Sequence, residues 1–192
     1  MKVDVIKQNN MEMDFRIIGC NVSFANAIRR TAISEVPTFA VDTILFYENS
    51  SSFFDEYLAN RICLVPIKTD LRSSEKDEVT FTFDVQGPGT IYSSELKSTD
   101  SKIVVANEKI PLLNLMDKQV VRLEAKAKFA TTREHAKHQP CFITYKVDRS
   151  KKDVFDFHME SFGQLTTKQI LNKTVSLLES KCDEFEKGLK NL

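Results

Sequence analysis

His135, His138 and Cys141, spaced His-x-x-His-x-x-Cys, are a compact set of side chains able to bind zinc. A structural zinc site closes with four ligands, however, and no fourth lies nearby, while Lys137 and Pro140 interrupt the run. No metal is expected there. His158, in the segment FDFHME, offers a lone imidazole for acid–base work, but no partner stands beside it in sequence and a place in a sheet accounts for it. Gly87-Pro88-Gly89 lacks the following Lys-Ser/Thr and helix that turn a glycine loop into a phosphate cradle. No D-x-D run is present to hold Mg²⁺ for nucleotidyl transfer. On this reading the chain has no catalytic residues of its own, and what remains is binding. Arg29 and Arg30 are adjacent, permanently charged and rich in donors, suited to a carboxylate or a phosphate.

The element that must carry those arginines is the stretch NVSFANAIRRTAISEVP, Asn21 to Pro37. It holds no internal glycine or proline, and Pro37 supplies a stop. Phe24, Ala25, Ile28, Ala32 and Val36 fall within an arc of about 120° on a helical wheel, one apolar face with Arg29 at its edge and Arg30 pointing away. Before it, residues 2–8 and 11–18 alternate as a hairpin joined at Asn9-Asn10; after it, 39–47 reads as a strand. Ser52, three residues before Asp55, is a candidate N-cap for a short helix to about Ile62. From Val79 the period becomes two, with strands expected at 79–85, 90–96, 103–105 and 120–129. This block predicts an inserted β-rich lobe over residues 48–144. Strands at 142–147 and 154–159, joined by the charged turn Arg149–Asp153, bring the chain back. The last element is a helix opened by a Thr166/Gln169 capping box. Its Leu171, Val175, Leu178, Cys182, Phe185 and Leu189 recur at spacings of 4, 3, 4, 3 and 4. That pattern alone fits a core helix as well as a surface for a partner.

The chain has 27 basic and 27 acidic residues, intermixed almost everywhere, so direct DNA binding is not expected. Its 42% hydrophobic content suffices for a true core. No apolar run approaches the ~20 residues of a membrane span, and MKVDVIKQNN lacks a signal-peptide core, so a cytoplasmic location is expected. Cys20, Cys63, Cys141 and Cys182 are far apart among apolar neighbours and read as small buried side chains, not as a disulfide or cluster framework.

Three ordered segments carry a family resemblance. Ala25-Asn26-Ala27-Ile28-Arg29-Arg30-Thr31 with Ser34-Glu35-Val36-Pro37 resembles the signature helix of the α-like subunits of cellular RNA polymerases, most closely the archaeal D-type members of that family. The segments from Phe54-Asp55-Glu56-Tyr57-Leu58-Ala59-Asn60-Arg61-Ile62 to Pro66-Ile67 and Arg133-Glu134-His135-Ala136-Lys137-His138-Gln139-Pro140 are similar to two further motifs of that family, in the same order. The resemblance implies an α+β fold. Residues 1–47 and 145–192 would form a discontinuous dimerisation domain, a sheet with two helices, around the inserted lobe. It implies a non-catalytic assembly subunit that pairs with the smaller α-like subunit L. The pair would then meet the second-largest catalytic subunit and the small zinc-binding subunits N and P. Phe24, Ile28 and Ala32 with Leu171, Val175, Leu178, Cys182, Phe185 and Leu189 would face the dimer partner, and Arg29, Arg30 and Arg61 the large subunit. Some relatives carry an iron–sulfur cluster in an extra ferredoxin-like domain after the third motif. Here about a dozen residues separate Pro140 from Val154, so that domain and its cluster are expected to be absent, and no cofactor is expected. A stand-alone transcription adaptor with the same dimer fold is the alternative.

Overall fold

The structure, a computed structural model, describes residues 1–147 and 153–190. The chain divides into two compact units, Met1–Val36 with Thr131–Leu192, and Pro37–Ala130.

The first unit begins with β1 (Lys2–Gln8) and β2 (Glu12–Ile18), antiparallel with Val3 opposite Ile17 and Val5 opposite Phe15. The Asn9 side chain makes the turn by accepting from the backbone N–H groups of Met11 and Glu12, at 2.8 and 2.6 Å. Helix α1 (Val22–Ser34) starts where Asn21 accepts from the Phe24 N–H at 2.8 Å. It stops before Pro37, and Ala25, Ile28, Ala32 and Val36 are buried.

The second unit contains β3 (Thr38–Asn49), α2 (Asp55–Cys63), β4 (Glu78–Gln86), β5 (Gly89–Tyr92), β6 (Lys97–Ser98), β7 (Pro111–Leu115) and β8 (Val120–Ala130). Its main sheet runs β3-β8-β4-β6, with β5 and β7 as a separate ribbon. Strict alternation sets the core: Phe81 lies opposite Ala125 and Phe83 opposite Leu123, all buried. Leu58 and Ile62 of α2 join the same core.

The chain then returns to the first unit through β9 (Cys141–Val147), β10 (Val154–Ser161) and α3 (Thr167–Lys190). The sheet order is β1-β2-β10-β9. Phe15 stacks on Phe157 across the central pair at 4.8 Å, and Met13, Ile17, Phe155 and Met159 extend that buried face. Helix α1 lies against β9 and α3, and α3 against β10.

Several expectations need correction. The unit boundaries fall at 36/37 and 130/131, not at 47/48 and 144/145. Strand β3 pairs along its length with β8, from Thr38 opposite Ala130 to Asn49 opposite Val121, which draws it into the second unit. Residues 131–144 instead serve the first. Ser52 does not cap α2: the helix opens at Asp55 with Phe54 as its N-cap residue and no side-chain cap. The preceding loop is held by Asn49, whose side chain donates to Asp55 Oδ1 at 2.7 Å and accepts from Ser51. The 90–96 strand stops at Tyr92, where Ser93–Glu95 turn as a 3₁₀ helix, because Ser93 is buried and bonds the Asn107 carbonyl. Residues 103–105 supply only a single bridge, Val105 to Ile67. The short β6 and β7 carried no clear alternation. The expected turn at 149–153 lies, up to Lys152, outside the described residues.

Candidate partner-binding surface

Helix α3 starts with the expected reciprocal cap: the Thr166 N–H donates to Gln169 Oε1 at 2.9 Å, and the Gln169 N–H to Thr166 Oγ1 at 3.3 Å. Its first turns bury Thr167, Ile170 and Thr174. Buried threonine hydroxyls need partners; Thr174 donates to the Ile170 carbonyl and Thr167 to the Asn9 carbonyl, both at 2.8 Å. After Thr174 no described residue of the helix is buried, yet the apolar spacing continues. Leu171 and Leu178 are half-buried, while Val175, Cys182, Phe185 and Leu189 are exposed, Phe185 by 70%. A phenylalanine left in water forgoes roughly 1.5–3 kcal/mol of burial. On the same unit every residue of β1 but the half-buried Asp4 is exposed, Val3 and Val5 included, although these two continue the sheet's core face from Ile17 and Phe15.

Helix α1 contributes less than expected. Ile28 and Ala32, at 3% and 0% exposure, are consumed by the unit's own core; of the three residues named for that face only Phe24, at 38%, is exposed. The two alanines allow close approach, but the element that approaches is the chain's own sheet. Phe24 lines an open depression with Met1, Gly19, Cys20, Asn21 and Asp153. Partial burial, then the Asp153 carboxylate, raise the Cys20 thiol above its usual range.

The arginines separate into two kinds. Arg29 is half-buried, and its Nε and Nη2 both donate to Asn26 Oδ1, at 3.2 and 3.0 Å, on its own helix. Arg30 is exposed. Arg61 is half-buried and donates from Nη2 to the Pro111 carbonyl at 2.6 Å, tying α2 to β7. That bond helps position its own unit.

Sequence reasoning missed Glu35. Its largely shielded carboxylate accepts from Arg133 at 2.6 Å and from Lys181 of α3. Beside it Thr132 Oγ1 donates to the Ile33 carbonyl at 2.8 Å, and Cys141 Sγ to the Ala32 carbonyl at 3.8 Å. The first and third motif segments thus meet at the end of α1, and the opposite charges of Glu35 and Arg133 at the edges of those segments were the available signal. The seven-residue cluster also belongs here. His138 is buried, His135 accepts from the Lys137 N–H at its Nδ1, and burial pushes the Cys141 thiol up to about 12. Among the described residues these three do not bring ligand atoms together. His158 does have partners: Asp14 Oδ1 lies 2.6 Å from its Nδ1 and Glu160 Oε1 2.9 Å from its Nε2. In the second unit, Phe54, Tyr57 and Leu64 are exposed around α2, with Phe53 stacked on Tyr57 at 5.2 Å.

An α+β unit whose longest helix and edge strand leave an apolar face uncovered is a dimerisation module, and its relatives say of which kind. The family described as the RNA polymerase Rpb3/Rpb11 dimerisation domain matches residues 14–182, and this chain belongs to that family. It is 42% identical over 169 residues to DNA-directed RNA polymerase subunit Rpo3 of Methanocaldococcus jannaschii, covering 88% of this chain and 86% of the relative. It is 40% identical over 153 residues to the Pyrococcus furiosus Rpo3, covering 76% of this chain and 59% of the relative. With the Halobacterium salinarum Rpo3 it shares 42% identity over 137 residues, 71% of this chain and 55% of the relative. The chain therefore spans somewhat over half the length of the latter two. No helix among the described residues is long and apolar enough to cross a membrane.

Proposed function

We propose that this chain is a non-catalytic assembly subunit of an archaeal-type multisubunit DNA-directed RNA polymerase. The observation that carries the reading is the uncovered stripe of α3, Val175 to Leu189, on a unit whose family is defined by dimerisation. The stripe and the bare core face at β1 accept the smaller α-like subunit L. The heterodimer then recruits the second-largest catalytic subunit, with Arg30 as an outward-facing cation, and the small zinc-binding subunits N and P. The exposed aromatic set around α2 supplies further contact area for these partners. The chain works in the cytoplasm, carries no iron–sulfur cluster and contributes no group to nucleotidyl transfer. The wide separation of its four cysteines along the sequence supports the absence of a cluster.

The test is co-expression of this chain with the L-type subunit, followed by light scattering and by capture of the large subunits from cells of the source. A 1:1 heterodimer that enters polymerase is expected. A heterodimer that never captures the large subunits would favour the stand-alone adaptor. A monodisperse monomer that ignores the L-type subunit would defeat both readings.

A further inference from the structure

The solvent-facing side of the first unit's sheet, opposite the face that α1 and α3 cover, gathers groups the assembly role does not use. Antiparallel register sets His158 of β10 against Asp14 of β2 and Glu160 against Glu12. Ligand-capable atoms of Glu12, Asp14 and His158 all lie within 4.8 Å of one another, each residue half-buried. We propose that Glu12, Asp14 and His158 form a site for one divalent transition-metal ion of the zinc type, with Glu160 as the positioning residue that fixes the imidazole.

Chemistry and geometry support this independently of the proposed function. An imidazole nitrogen with two carboxylate oxygens is a donor set that suits zinc, and the open side of the sheet leaves a coordination position for water. Zinc bonds of ~2.0–2.2 Å place two ligand atoms about 3.3 Å apart in a tetrahedral site. His158 Nδ1 and Asp14 Oδ1 are 2.6 Å apart around a shared proton. Replacing that proton by the ion therefore needs the side chains to open by less than ~1 Å, while the paired strands keep their places. Glu160 Oε1 lies 2.9 Å from Nε2, so with the Nε2–H held there, release of the Nδ1 proton leaves a lone pair directed into the site for the ion. A ring N–H given to a carboxylate is the usual support of a metal-bound histidine. The cation in the way is Lys7, 2.6 Å from Glu12 Oε2. The neighbouring Arg16 is engaged with Asp156 on the same face. Proton, lysine and metal thus compete for three carboxylates and one ring.

The experiment is a Zn²⁺ titration of the full chain, stripped of metal by a chelator, read by calorimetry and by the imidazole nitrogen resonances. Saturating Zn²⁺ should shift the His158 Nδ1 resonance and leave its Nε2 protonated, a readout that needs no variant. His158→Ala and Asp14→Asn should each weaken the site by at least ~10-fold, and Glu160→Gln by about 10-fold through the ring's orientation. Lys7→Ala should tighten it. Circular dichroism of each variant confirms the fold. An unmoved His158 resonance at saturation overturns the proposal. So does equal zinc uptake by His158→Ala and the parent chain, which would assign the ion to His135 or the cysteines.

Discussion

Glu35 shows how a single carboxylate organises its surroundings. It sits at the C-terminal end of α1, mostly shielded, between the exposed cations Arg133 and Lys181. Glu35→Ala should cost about 1 kcal/mol, since both partners are solvated and surface pairs are weak; a lowered thermal midpoint, partly restored in Glu35→Gln, checks it. His158 gives a pH effect with a definite sign. The hydrogen bonds to Asp14 and then to Glu160 raise it above the usual 6.5. Its stabilisation is therefore complete below pH 6.5 and is lost as pH rises through the higher folded value. In chelator-containing buffer, proton resonances of the ring should titrate above 6.5, and His158→Ala should flatten the pH dependence of stability there. If the ring titrates at or below 6.5, the two-carboxylate clamp does not operate in solution. These contacts were poorly legible in the sequence. His158 and Asp14 are 144 positions apart, and only the register of β2 on β10 joins them. Arg61 likewise read as a charge for a partner because nothing local announces the Pro111 carbonyl.

Elements were far more legible than contacts. Hydrophobic period and caps predicted α1, α3, the β1–β2 hairpin, β4, β8 and β10 nearly to their ends, since each signal is local. What failed was non-local or irregular: β3 was assigned to the wrong unit because a strand's sequence does not state its pairing partner. The α1 face was read as a partner surface because apolar periodicity cannot tell whose core it fills. In α3 the same ambiguity resolves along the helix, buried to Thr174 and bare beyond it. Phe185 is the cleanest probe, more so than half-buried Leu178. Phe185→Asp should change the isolated chain's stability by no more than ~0.5 kcal/mol. It should weaken pairing with the L-type subunit by about 2 kcal/mol or more, roughly 30-fold, as expected of a central aromatic anchor. Unchanged affinity in a binding titration would remove the α3 stripe from the interface.

At the level of the whole molecule, the second unit is a continuous segment, Pro37–Ala130, inserted into a unit built from both ends of the chain. The two sides of the insertion are held together within the first unit by the Thr132–Ile33 hydrogen bond. Replacing residues 37–130 with a few glycines and serines should therefore leave the first unit folded and still able to bind the L-type subunit, while capture of the large subunits falls away. A collapsed helical signal in that variant would show that the first unit cannot stand without the insertion. The pairing of β2 with β10 also has a consequence in time. Met13 lies opposite Met159, so roughly 150 residues must be synthesised before the sheet closes. At ~5–20 residues per second this leaves an interval of about 7 to 30 s. Throughout it, the nascent hairpin of β1 and β2 carries Met13, Phe15 and Ile17 with nothing to cover them, and a lone two-stranded hairpin is marginal in water. The inserted unit, whose contacts lie within one continuous segment, can complete itself during that wait. The strand β2 thus leaves the ribosome well before β10 and waits longest for its final neighbour.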